Sequence, residues 1–284
     1  MAVLESLYQH RLLSTRQVHL LHTPTARLRE AQRSLARLRN AGLAASVRLP
    51  GGLGAWYLTP AGLDAAETIP SRAELRRKLI TPEQAAGPLQ QHTLAVNDVG
   101  TAFVHAARER DDECGPLAWR HEIAHTLGPP LGRRQADFLI ADAVLVYELI
   151  DGADTSIHYR FVELDRATIP TPDLAAKLVR YARLYDHAIP GEDPADPPVR
   201  VWTRHYPVFP PIVVVLAHAP RARLVRRRNV VLALCGQHPE LRATPGVAVS
   251  ICLLDDLTEH GPFAPIFRTA HAPDTTMDWR GDVC

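Results

Sequence analysis

Apolar and polar residues in the first 70 positions follow helical spacing, then two short alternating runs, then helical spacing again. The predicted elements, in chain order, are helices over 3–12, 15–21 and 25–40, strands over 45–49 and 55–58, and a helix over 59–68. Ser14 precedes the second helix as an N-cap, and Gly42 ends the third as a C-terminal cap. This order is typical of a winged helix-turn-helix domain, which we assign to residues 1–70.

The rest of the chain predicts a second domain that follows a linker over residues 71–88. Its elements are a helix over 91–109, strands over 117–121, 138–147 and 159–164, a helix over 173–188, a strand over 212–216, a helix over 221–234 and a strand over 247–254. This alternation predicts a mixed α/β domain with a central sheet over residues 89–260. Residues 261–284 look loop-like, and we expect a C-terminal tail there.

The total charge of +1 hides an uneven distribution of charged residues. Residues 1–80 hold 12 Lys or Arg against 5 Asp or Glu, a net charge of +7, whereas residues 81–284 hold 20 against 26, a net charge of −6. Such asymmetry indicates that the basic N-terminal part meets a polyanion. A basic surface without a partner is the alternative interpretation.

The third predicted helix carries arginines at a spacing of four residues. Arg29, Arg33 and Arg37 share one face. The opposite face is apolar and is predicted to be buried through Leu28, Ala31, Leu35 and Leu38. Because the arginine fork suits both phosphate oxygens and the guanine edge, we expect this helix to enter the major groove of double-stranded DNA. Arg48 in the hairpin would reach the DNA backbone or the minor groove, while a merely solvated face is the alternative.

The cysteines and apolar runs point to a reduced, cytoplasmic setting. The four cysteines form no C-x-x-C pair and no zinc-ribbon spacing. The N-terminal segment lacks the basic and apolar regions of a signal peptide, so we expect none. The longest apolar run, over 212–216, is far too short to span a bilayer, and we expect no association with a membrane.

The second domain carries a candidate catalytic site of acidic residues and one lysine. Asp142 lies at the start of an apolar strand, and Glu163 and Asp165 project from one face of the next. Lys177 follows on a helix with its stem toward the sheet. Asp142 and Glu163 would hold Mg²⁺ or Mn²⁺ through oxygen ligands, and Lys177 would offset charge on a phosphoryl transition state. The alternative is an ion-pair network that only stabilises the surface.

Asp142, Glu163 and Lys177 resemble the PD-(D/E)xK nuclease pattern, with departures. Ala141 replaces the proline before the aspartate, and Asp165 stands where the lysine is expected. Lys177 would be that lysine, displaced onto the following helix. Lys177 and Tyr181 also resemble the Q-x-x-x-Y helix motif of RecB-like nucleases.

A wider set of short stretches is similar to the replication-relaxation family of actinobacterial plasmids and integrative elements. The matching stretches are 41–43 (AGL), 57–62 (YLTPAG), 92–98 (HTLAVND), 141–145 (ADAVL), 161–167 (FVELDRA) and 176–181 (AKLVRY). The resemblance implies a winged helix followed by a PD-(D/E)xK nuclease-like domain, tied to plasmid replication or DNA relaxation. It implies no defined reaction.

These patterns together predict a DNA-binding protein of a plasmid or integrative mobile element that acts in replication, relaxation or its regulation. Its expected partners are double-stranded DNA and other replication or transfer proteins of the element, and a homodimer is left open. The alternative is an active Mg²⁺-dependent endonuclease that the winged helix targets to its site. We also expect residues 1–70 to fold alone.

Overall fold

The computed structural model describes residues 1–49, 52, 54–69, 78–87, 89–128, 137–191 and 196–283. Its internal contacts divide the chain into two compact units, residues 1–120 and residues 121–284. Parts of two predicted segments, positions 50–51 of the hairpin turn and positions 70–77 and 88 at the linker, lie outside the described residues. Among the helices that are described, none has the length and apolar content needed to cross a membrane.

The first unit combines helices with a small antiparallel sheet. Its elements are α1 (Ala2–His10), β1 (Leu13–Ser14), α2 (Thr15–His22), α3 (Leu28–Asn40), β2 (Ala44–Arg48), β3 (Gly54–Leu58), α4 (Pro60–Glu67), α5 (Pro82–Ala86) and α6 (Leu89–Arg110). The strands lie in the order β1-β3-β2, and β3 is antiparallel to both neighbours. Helices and hairpin therefore follow one another in the predicted order.

Local side-chain hydrogen bonds fix where two of these helices begin. Ser14 caps α2 in a capping box with Gln17, so that each side chain accepts the backbone N–H of the other residue. Thr59 caps α4 by accepting the N–H of Gly62. The long helix α3 starts at Leu28, three residues later than predicted, because the chain first turns, with the N–H of Ala26 bonded to the carbonyl of Thr23.

Helix α6 belongs to the first unit, whereas the sequence pattern placed residues from 89 onward in the second domain. The buried Asn97 amide donates to the carbonyl oxygen of Leu12 at 2.8 Å and accepts from Nε1 of Trp119 at 3.0 Å. Gly100 leaves room for that tryptophan, since a Cβ there would lie 2.4 Å from the indole ring. A cluster of buried apolar side chains also links the hairpin to residues before and after it in the chain. Its members are Leu12, Leu49, Ala55, Tyr57, Ile80, Ala85 and Leu94.

A six-stranded mixed sheet forms the centre of the second unit, which confirms the predicted mixed α/β architecture. Its elements are β4 (Trp119–Thr126), β5 (Phe138–Asp151), β6 (Asp154–Asp165), α7 (Thr171–Asp186), β7 (Ala188–Ile189), β8 (Val199–Arg200), a 3₁₀ helix (Val201–Arg204), β9 (Ile212–Leu216), α8 (Arg221–Gln237), α9 (Pro239–Ala243), β10 (Val249–Leu253), α10 (Leu254–His260) and β11 (Arg268–Thr269). The strand order is β11-β10-β9-β6-β5-β4, and β7 pairs with β8 separately.

The middle of this sheet is parallel, and its central strand β9 is fully buried. β6, β9 and β10 run parallel, while β5 is antiparallel to β6 and β11 is antiparallel to β10. All five residues of β9 are buried, as expected for a strand covered on both faces. The core that α7 and α8 form with the sheet includes Phe161, Leu178, Val214 and Leu232. This packing holds α7 and α8 over one face of β6.

The segment predicted as a C-terminal tail is part of the second unit. Residues 268–269 form β11 against β10. Trp279 is buried, and its ring lies 4.5 Å from the guanidinium carbon of Arg160. The contact between the Arg160 guanidinium and the Trp279 ring therefore attaches this segment to the sheet.

We predict that a fragment of residues 1–120 folds cooperatively and that, contrary to the expectation from the sequence, a fragment of residues 1–70 does not. The shorter fragment lacks Asn97 and Leu94, so the Leu12 carbonyl loses its donor and the hairpin loses apolar cover. Circular dichroism melts of both fragments measure this. In the longer fragment, Asn97→Ala should cost about 1–3 kcal/mol, because buried partners are left unsatisfied. Equal melting temperatures of the two fragments would show that α6 is dispensable.

Candidate functional site

The structure brings together three of the four residues that the sequence proposed for the acidic site. Asp142 lies on β5, Glu163 on β6 and Lys177 on α7. The Lys177 ammonium donates to both carboxylates, to Oε2 of Glu163 and to Oδ1 of Asp142 at 3.3 Å. We call these three residues, together with Tyr181, the acidic cluster.

Two residues one turn apart on α7 hold the Glu163 side chain. Lys177 binds one carboxylate oxygen, and the hydroxyl of the fully buried Tyr181 donates to the other at 2.5 Å. Leu174 and Leu178 anchor the same side of the helix in the core, so the polar pair faces the sheet. The four-residue spacing of Lys177 and Tyr181 was visible in the sequence, but only the structure shows that both meet Glu163.

Asp142 joins the cluster where the hydrogen-bonded pairing of β5 with β6 stops. Ala143 pairs with Val162, and the next polar contact is made by the Asp142 side chain, whose Oδ2 accepts the N–H of Leu164 at 2.8 Å. A carboxylate that takes a backbone donor and an ammonium donor together is well compensated. Asp142 is thus fixed to the neighbouring strand as well as to α7.

Burial dominates the electrostatics of the cluster. Glu163 is only 2% exposed, and this burial, together with the charge of Asp142, raises its pKa to about 8. Burial lowers the pKa of Lys177, but the carboxylates of Glu163 and Asp142 outweigh that effect, and the net shift is upward. The lysine therefore stays charged beside the two carboxylates.

The predicted arginine face of α3 is exposed along its length. Arg29, Arg33 and Arg37 all reach solvent, and so does Arg48 in the hairpin. Arg33 contacts Glu30 at 2.6 Å, but its side chain is 69% exposed, so this pair is weak. Arg37 donates to the Ser34 hydroxyl at 3.1 Å.

The buried side of α3 is narrower than the pattern predicted. Ala31 and Leu35 are buried as expected, and Leu38 is half-buried, but Leu28 is 43% exposed. Leu28 stands at the first position of the helix, where no second layer covers it, so its assignment to the apolar face was wrong. Sequence reasoning also passed over Arg39, whose guanidinium carbon lies 5.8 Å from the Trp56 ring centre.

Comparison with known families decides the relationship of the chain. The model of the replication-relaxation family matches residues 4–192. The chain belongs to the replication-relaxation family. No curated protein and no solved structure matches it.

The replication-relaxation match contains both features described above. It covers α3 and the hairpin, and it extends through β5 and β6 to the end of α7, so the whole acidic cluster lies within it. It ends before β9 and α8, which complete the sheet and its helical cover.

Asp165 lies apart from the acidic cluster, although the sequence grouped it there. Both of its oxygens accept from the Arg227 guanidinium on α8, and Oδ1 also accepts the N–H of Ala167 at 3.2 Å. Glu163 and Asp165 do share one face of β6, but α7 covers the first and α8 covers the second. Nothing in the motif pointed to Arg227, which lies outside the replication-relaxation match and within a run of arginines that resembles a solvated surface.

The acidic cluster offers two carboxylates to a divalent cation, but protein donors already engage all four of their oxygens. Oδ1 and Oε2 accept from Lys177, Oδ2 accepts from Leu164, and Oε1 accepts from Tyr181. Among the described residues there is no group of three or more His, Cys, Asp or Glu side chains arranged to hold a metal. As arranged, the donor set fits the lysine ammonium and does not fit Mg²⁺ or Mn²⁺ unless Lys177 moves.

We predict that Arg227→Met destabilises the protein by about 3–5 kcal/mol, because it leaves the buried Asp165 carboxylate without its cation. Urea unfolding measures the loss. The matched control is Arg183→Met, which breaks a two-point pair with the exposed Glu240 and should cost no more than about 1 kcal/mol. Similar losses in the two variants would mean that Asp165 does not depend on Arg227.

Proposed function

We propose that this member of the replication-relaxation family binds double-stranded DNA through α3 and the β2–β3 hairpin, used as a winged helix-turn-helix. We further propose that it acts in the replication or relaxation of a plasmid or integrative mobile element, or in its regulation. The observation that carries the proposal is the row of exposed arginines on α3. Family membership supports the biological setting.

The form of α3 supports insertion into a groove. Only Ala31 and Leu35 are fully buried along its 13 residues, so most of the helix stands clear of the core of its unit. An α-helix fits the major groove of B-DNA, and a preceding helix can cross the backbone beside it. The helix α2 packs against α3 and is suited to that second position.

The charges on this surface are free to change partners. Among the described residues, Arg33 pairs with Glu30, one turn earlier, and exposed pairs of this kind contribute little to stability. A phosphate can therefore replace Glu30 at low cost, and the guanidinium fork can bind it at two points. Arg48, on the strand next to the turn, extends the same positive surface along the hairpin.

We expect the triple variant Arg29→Gln, Arg33→Gln, Arg37→Gln to lose DNA affinity, with a weaker dependence on salt. Each lost phosphate contact should reduce the slope of log K against log salt by about 0.9. Fluorescence anisotropy with labelled duplex at several salt concentrations measures both quantities. The matched control removes three exposed arginines elsewhere, through Arg120→Gln, Arg204→Gln and Arg242→Gln.

The two triple variants carry the same net charge, so they separate a recognition surface from a general electrostatic effect. If the two triple variants lose affinity and slope equally, the arginines of α3 act only through the general charge of the protein. If the α3 variant binds like the wild type, the arginines of α3 form only a solvated face, and the proposal that α3 binds DNA is wrong.

A second candidate function is a metal-dependent endonuclease, and the convergence of Asp142, Glu163 and Lys177 favours it. The resemblance of these residues to the PD-(D/E)xK pattern supports the same reaction class. This function requires a divalent cation to take the place that Lys177 occupies between the carboxylates. Nicking of supercoiled plasmid in the presence of Mg²⁺ or Mn²⁺ that is lost in Glu163→Gln would support the endonuclease. If the plasmid stays intact, DNA binding without cleavage remains as the proposed function.

A further inference from the structure

The acidic cluster is built like a cation site whose cation belongs to the protein. Its two carboxylates come from neighbouring antiparallel strands, and one ammonium group bonds to both. Hard oxygen ligands from adjacent strands are also what a divalent cation requires. Two positively charged groups cannot occupy that position together, since their repulsion in a buried site is strong.

The inward position of Lys177 is specific to this residue of α7. Arg180 and Arg183, on the same helix, pair with Asp137 and Glu240, and all four of these side chains are at least one-third exposed. Lys177 instead reaches the Glu163 carboxylate, which is almost entirely buried. The cation in the cluster is therefore not one of several exchangeable surface charges.

The cluster is also open enough for an ion to reach it. The side chains of Lys177 and Asp142 are 30% and 18% exposed, whereas Glu163 forms the buried floor. Removal of the ammonium group would leave two carboxylates that face each other with access to water. Their mutual repulsion would then favour any small divalent cation.

We propose that Lys177 is the resident cation of this site, and that loss of its ammonium group converts Asp142 and Glu163 into a binding site for Mg²⁺ or Mn²⁺. The wild-type cluster accordingly takes up no divalent cation. The lysine performs structurally what a bound metal performs in a site of the same layout. The inference concerns the second unit, is independent of DNA binding by α3, and is the alternative to the metal-dependent endonuclease.

The experiment compares the wild type with Lys177→Met, which keeps most of the side-chain volume and removes the charge. Binding of Mn²⁺ is measured by loss of the free-ion signal in electron paramagnetic resonance. Thermal melts with MgCl₂ or MnCl₂ at constant ionic strength measure stabilisation. The wild type should bind no Mn²⁺, and its Tm should not change. Lys177→Met should bind one ion, with a rise in Tm of about 3 °C for each tenfold increase in metal above Kd.

Two controls place the effect in the cluster. The double variant Lys177→Met, Glu163→Gln should lose the gain, because a main ligand is absent. Arg180→Met removes a cation from the same helix outside the cluster, and it should behave like the wild type. Lys177→Ser serves as a second variant, and rescue of its folding by metal would count as the same gain.

Three results would overturn the inference. The first is binding of Mn²⁺ by the wild type that Glu163→Gln abolishes, which would also support the endonuclease. The second is a folded Lys177→Met that gains no metal binding. The third is failure of both Lys177 variants to fold even with metal, because a divalent cation then does not replace the ammonium group.

Discussion

The Glu163 carboxylate is buried against the sheet and needs hydrogen-bond donors in place of water, and the second unit is arranged around this requirement. A charged group removed from water costs several kcal/mol unless donors of good geometry replace its hydration. Lys177 and Tyr181 supply those donors from successive turns of α7, and Asp142 shares the lysine from β5. Only one rotation of α7 about its axis places both donors over Glu163. Polar contacts therefore select one docking of this helix among those that its apolar face would tolerate.

The same solution appears twice along one strand. Two residues after Glu163, the Asp165 carboxylate is neutralised by Arg227 of α8, so each of the two buried acidic residues of β6 contacts one covering helix. Parallel pairing of β6 with β9 makes this arrangement possible, because the chain must return through helices on the sheet face before each new parallel strand. The buried acidic residues of β6 thus help to determine which helix packs on which part of the strand, in addition to any catalytic role.

The sequence predicted most of the elements, because apolar periodicity is a local property. The buried strand over 212–216 followed directly from it, and capping by Ser14 followed from the residue type just before the second helix. The convergence of Asp142, Glu163 and Lys177 was also foreseeable, from strand alternation and the apolar stripe of α7. Pairings between distant positions were not. Asn97 meets a carbonyl 85 residues earlier, and Arg227 meets a carboxylate 62 residues earlier. Neither contact leaves a periodic signal in the sequence, so the pattern grouped α6 with the second domain and Asp165 with Asp142 and Glu163.

The side chain of Gln17 makes three hydrogen bonds within the first unit. Its oxygen accepts the N–H of Ser14, and its amide donates to the Leu94 carbonyl at 2.8 Å and to Asp98 at 2.7 Å. Since α2 packs against α3, the helix with the arginine row rests on a support that is already ordered. Little conformational entropy would then be lost when a ligand meets that surface. The affinity of such a surface for a ligand is set by the charges that it presents. A substitution at Gln17 would lower that affinity indirectly, because α2 and α3 would be less ordered before the ligand binds.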